Sequence, residues 1–71
     1  MKMKIKDFLN FYIGFNSFQI ATESGDRFTS PLTKDQAINA YGKAELKGTD
    51  VDGEEYIRYL VLYIPDKDFI G

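Results

Sequence analysis

Residues 56–64 read Tyr-Ile-Arg-Tyr-Leu-Val-Leu-Tyr-Ile, and no other stretch constrains the fold as tightly. β-Branched and aromatic residues suit the pleated surface of a sheet, and Pro65 ends the run because proline cannot donate to a ladder. The predicted strand spans 55–64. Side chains alternate across a strand, so Tyr56, Leu60, Leu62 and Ile64 share one face, interrupted by Arg58. Ile57, Tyr59, Val61 and Tyr63 share the other. A strand with one wet face would alternate between apolar and polar residues. This one is apolar on both sets, so either both faces are covered or one is a contact surface.

The rest of the chain supplies two short helices and more strands. Ile5, Phe8, Leu9, Tyr12 and Ile13 follow the spacing of an amphipathic helix, predicted over 4–13 with Gly14 as its left-handed cap. Phe11 and Phe15 widen its apolar stripe. The period then changes to two: Phe18, Ile20 and Thr22 alternate with Ser17, Gln19 and Ala21, predicting a strand. Glu23-Ser24-Gly25-Asp26 is turn chemistry, and Arg27-Phe28-Thr29 is predicted to return as the short second strand of a hairpin, with a loop as the alternative. Thr33 and Gln36 have the spacing of a capping box, opening a second helix with Ala37, Ile38 and Tyr41 on its apolar side and Gly42 as its stop. Ala44 and Leu46 alternate with lysines and a glutamate as a third strand, and residues 49–54 read as a polar connection.

The predicted order is therefore α-β-β-α-β-β. This is a single α+β domain over residues 1–71, with two short helices and about four mostly antiparallel strands. Residues 4–65 form its ordered core. Residues 66–71 fray unless Phe69 and Ile70 fold back onto that core. Two short helices could cover both faces, one on each side, or lie together on one face of the sheet. Their natural place is the aliphatic face, which leaves Tyr59 and Tyr63 on the other.

Composition narrows function mainly by exclusion. With no Cys and no His, the 71-residue chain lacks thiol nucleophiles, imidazole bases, disulfides and the usual zinc ligands. Neither a Gly-x-Ser-x-Gly elbow nor a Ser-x-x-Lys motif is present, so no catalytic residue and no cofactor is assigned. Asp50-Val51-Asp52-Gly53-Glu54 has only part of a calcium-loop spacing and leads into a strand, so it reads as a turn and no metal site is assigned. A net charge of −2 argues against a nucleic-acid binder driven by bulk charge. The basic tip Lys2, Lys4 and Lys6 and the sheet tyrosines keep a weak single-stranded binder as an alternative. No stretch is long and apolar enough for a bilayer, and the opening residues lack a signal peptide's hydrophobic core. The expectation is a cytoplasmic protein without a membrane partner.

What remains is a protein that acts by binding another. Tyr56, Tyr59 and Tyr63 are the candidate anchors, because a tyrosine ring is apolar and its hydroxyl tolerates water. Asp50, Asp52, Glu54 and Glu55 are candidate steering charges toward a basic protein surface. A homodimer burying the two-faced strand is the alternative.

Several stretches also resemble short accessory proteins of phages and mobile elements in low-GC Gram-positive bacteria. They are Lys4-Ile5-Lys6-Asp7-Phe8-Leu9, Phe18-Gln19-Ile20-Ala21, Ser24-Gly25, Ala40-Tyr41-Gly42-Lys43-Ala44-Glu45-Leu46 and Tyr63-Ile64. Some members of that group resemble host-takeover factors or inhibitors of bacterial defence, including anti-CRISPR proteins. The resemblance implies a non-catalytic inhibitor acting by occlusion, and it carries over no site residue.

Overall fold

The computed structural model describes residues 2–54 and 56–70. Three strands form one sheet: β1 (Phe18–Thr22), β2 (Gly48–Glu54) and β3 (Ile57–Ile64), in the spatial order β1-β3-β2. Helices α1 (Ile5–Phe11) and α2 (Lys34–Tyr41) cover one side, and a short 3₁₀ turn, Asp66–Asp68, follows β3. The α+β class is as expected, but the strand count and order are not.

The long apolar strand is central in the sheet, paired along both of its edges. It pairs in parallel with β1, Phe18 opposite Leu60 through Thr22 opposite Ile64. On its other side it pairs antiparallel with β2, Gly48 opposite Tyr63 through Glu54 opposite Ile57. The sheet is therefore mixed rather than mostly antiparallel, with α2 and β2 both lying in the connection between the parallel strands.

Two expected strands are replaced. Arg27-Phe28-Thr29 does not form one: residues 27–32 run beside β1 through isolated bridges, Phe18 to Leu32 and Ala21 to Phe28. The Thr29 hydroxyl intervenes by accepting the Ile20 N–H at 3.1 Å, so the ladder is not continuous. Around Ala44–Leu46 there is one bridge, Glu45 to Lys4, and the true strand starts at Gly48, in the segment read as a polar connection. Almost all of β2 is exposed, so its pairing rests on backbone hydrogen bonds that hydropathy does not register.

Helix α1 is shorter than its spacing predicts. It ends at Phe11, Tyr12 is already extended, and Gly14 is not left-handed. Ile13 lies beyond the helix, 96% exposed, and Phe11 is exposed rather than part of a wider stripe. No side chain caps its N-terminus. Instead the Ile5 and Lys6 N–H groups donate to the carbonyls of Ala44 and Gly42 at 2.9 and 3.0 Å, so the loop after α2 satisfies donors a cap residue would otherwise take. Helix α2 has the expected capping box: Thr33 Oγ1 accepts the Gln36 N–H and Gln36 Oε1 accepts the Thr33 N–H.

The core lies between the helices and one sheet face. Ile5 and Leu9 from α1 and Ala37 and Tyr41 from α2 meet Phe18, Ile20, Leu60, Leu62 and Ile64. Phe8, Tyr12 and Phe15 close one end as a stacked row, with Tyr12 edge-on to Phe18. Phe69 returns to stack on Tyr41 at 5.8 Å, whereas Ile70 stays exposed. Among the described residues, no helix is long and apolar enough to cross a membrane.

Candidate functional site

With both helices on the Leu60, Leu62 and Ile64 side, no helix lies over the opposite face of the sheet among the described residues. Strand alternation places Gln19 and Ala21 of β1, Tyr59, Val61 and Tyr63 of β3, and Asp50 and Asp52 of β2 on that face. Register sets them in rows. Gln19, Val61 and Asp50 are neighbours across the three strands, and Asp52 stands opposite Tyr59. With Phe28 and Gly25 at the rim, these side chains line an open depression of about 540 Å³.

Its floor is apolar and its flanks are amphipathic. Val61 is only 5% exposed although no helix lies over it, while Tyr59 and Tyr63 on either side are half-buried. The β1 side is held by the 23–29 loop. Gln19 Nε2 donates to the Thr29 carbonyl at 2.9 Å, which satisfies the buried amide and removes it as a free ligand-binding group. At the loop's far end, Asp66 accepts the Ser24 N–H at 3.1 Å. Hydrogen bonds from Ser24, helped by the nearby Arg27 charge, hold the Asp66 carboxyl below its ordinary pKa. The Arg27 guanidinium lies over the Phe69 ring, 5.0 Å from its centre, so loop and C-terminal turn brace one another.

The β2 side is acidic. Asp50 Oδ1 accepts the Val51 N–H at 2.8 Å, and Asp52 Oδ1 accepts the Gly53 N–H at 2.7 Å. Gly53 has φ +112, where a Cβ would overlap the Ile57 carbonyl oxygen, so this position beside the hairpin end requires glycine.

Of the residues singled out from sequence, Asp50, Asp52, Tyr59 and Tyr63 come together in the depression. Tyr56 does not join them: it is 90% exposed, in the turn between β2 and β3. Glu54 is exposed at the end of β2, opposite Ile57, and is not part of the lining. Glu55 lies outside the described residues. As site residues, sequence reasoning missed Gln19, Ala21, Gly25, Phe28, Val51 and Val61, which also line the depression. The parity of Gln19 and Ala21 in β1 was available as a signal, but it becomes useful only once β1 is known to lie beside β3.

The depression presents two phenols, two carboxylates and an apolar floor. Among the described residues, no group of three or more carboxylates converges to hold a metal ion. No protein-family model, curated protein or solved structure matches the chain.

Proposed function

We propose that this protein is a non-catalytic binding module that docks a basic protein surface on the open face of its sheet and acts by occluding that surface. The observation carrying this reading is the absence of a helix over Tyr59, Val61 and Tyr63, side chains apolar enough to belong to a second core. Tyr59 and Tyr63 are the anchors, since they bury large rings at the cost of few rotatable bonds. Asp50 and Asp52 beside them steer a cationic partner and fix its register. The resemblance to phage and mobile-element accessory proteins makes a host or defence protein the target class, with inhibition as the outcome.

The test is capture from a lysate of the organism carrying the chain, with nuclease added, using tagged wild type beside Tyr59→Ala/Tyr63→Ala. The reading expects one protein retained by the wild type and lost by the variant, with both chains folded by circular dichroism. Equal retention by both chains, or none by either, contradicts it.

A further inference from the structure

The two sides of the sheet end differently. On the β1 side, residues 27–32 close the edge: Phe18 and Leu32 exchange N–H···O bonds at 2.8 and 2.7 Å, and the Thr22 N–H donates to the Arg27 carbonyl. On the β2 side, no further strand follows among the described residues. An uncovered edge presents backbone donors and acceptors to any extended chain.

The direction of those groups follows from hydrogen bonds on β3. The Leu60 N–H donates to the Ser17 carbonyl and the Ile64 carbonyl accepts the Glu23 N–H, so the even-numbered residues of β3 face β1. The Tyr63 carbonyl accepts the Lys47 N–H, so the odd-numbered residues face β2. Within β2, Asp50 and Asp52 stand opposite Val61 and Tyr59 and direct their backbone inward, while Thr49, Val51 and Gly53 direct theirs to the free edge. The Asp50 and Asp52 carboxylates accept the N–H groups of Val51 and Gly53, two of those three outward donors. The edge is thus occupied by its own acidic side chains.

Charge then selects what can displace them. Among the described residues the one ion pair joins Lys47 to Glu45, so neither Asp50 nor Asp52 has a cationic partner. In an antiparallel pairing of two copies centred on Val51, Asp50 of each copy would face Asp52 of the other in a non-hydrogen-bonded pair. Such pairs bring Cα atoms to about 4.5 Å, and like charges directly opposite one another are unfavourable. A strand with Lys or Arg at those two positions reverses the sign of both contacts. By drawing the carboxylates across, it also releases the Val51 and Gly53 N–H groups to the new ladder.

We propose that the free edge of β2 is a strand-addition site for an extended segment carrying Lys or Arg opposite Asp50 and Asp52, and that the same carboxylates close it to a second copy of the chain. This deepens the binding-module reading and rests on it, because the added strand lies beside the Asp50 and Asp52 rim of the open face.

The probe is the chain itself with D50K/D52K, both positions being exposed. Isotope-labelled wild type is titrated with this variant and followed by amide NMR and sedimentation. The expected result is monomers for each chain alone and a heterodimer in the mixture, with exchange at the Val51 and Gly53 amides slowed by at least about tenfold. If the variant does not fold, a synthetic extended peptide with Lys at alternate positions replaces it, with the Glu counterpart as control.

Absence of association, association that leaves those two amides unprotected, or wild type that dimerises through β2 overturns the proposal. Failure here with capture through Tyr59 and Tyr63 intact removes the edge alone. Success here with capture unaffected by Tyr59→Ala/Tyr63→Ala removes the tyrosine anchors alone.

Discussion

The two faces of β3 carry comparable side chains and meet opposite surroundings. Leu60, Leu62 and Ile64 are buried under two helices, together with Phe18 and Ile20 of the neighbouring strand. Among the described residues no helix lies above Tyr59, Val61 and Tyr63; Val61 is nonetheless buried, while the tyrosines are half-buried. The residue types match that difference. Aliphatic side chains with no polar group fill the covered side, and rings with a hydroxyl stand on the side that meets water. One face therefore packs into the core, and the other lines an open depression.

That contrast is broken most severely from the covered side. Leu62 is fully buried, so Leu62→Ala removes packing with little room for relaxation and is expected to cost about 2–5 kcal/mol of unfolding free energy in urea. A loss below about 1 kcal/mol would show the helix side to be loosely packed and the contrast overstated. Next is Gly53→Ala, which forces an L side chain into φ +112 against the Ile57 carbonyl. Its expected cost is about 1–3 kcal/mol, with the loss of amide protection concentrated in β2 and the facing half of β3.

Smaller effects sharpen the picture. Thr33→Ala deletes the capping acceptor of α2 and is expected to cost about 1 kcal/mol, read as a lower thermal midpoint with the open face unchanged. Asp66→Asn has the smallest expected effect and a definite pH signature. The folded-state pKa of Asp66 is depressed, so its contribution is present above the ordinary carboxylate range and fades as pH falls through that lowered value. The wild type should therefore exceed the variant slightly near neutrality, and the two melting curves should converge in acid. A gap that widens in acid would contradict the hydrogen bonding at Ser24.

What could be read from the sequence follows this division of the molecule. β1 announces itself through its side-chain period, β3 through a run rich in β-branched and aromatic residues ended by Pro65, and α2 through the chemistry of its capping box. The two apolar sets of β3 also announced a face needing explanation. β2 was invisible for the opposite reason: Gly-Thr-Asp-Val-Asp-Gly-Glu has no buried stripe, and it is a strand only through backbone pairing with β3. The parallel pairing of β1 with β3 was hidden too, since periodicity assigns a residue to a face but does not choose the neighbouring strand. Ile13 misled because it continues a helical spacing past the point where Tyr12 turns extended. The same division runs through the site. Tyr59 and Tyr63 followed from β3 alone, whereas their union with Asp50 and Asp52 depended on the register of an edge strand that the sequence did not reveal.

Tyr59 and Tyr63 stand on the open face, while the core lies on the other side of the same strand. Urea unfolding of Tyr59→Ala/Tyr63→Ala tests this claim most directly. The expected result is a cooperative native state that keeps its helices and sheet, with a loss of about 1–2 kcal/mol, below that of Leu62→Ala alone. A variant that is unfolded in buffer, or that loses more than Leu62→Ala, would make the tyrosines part of the core and contradict the claim.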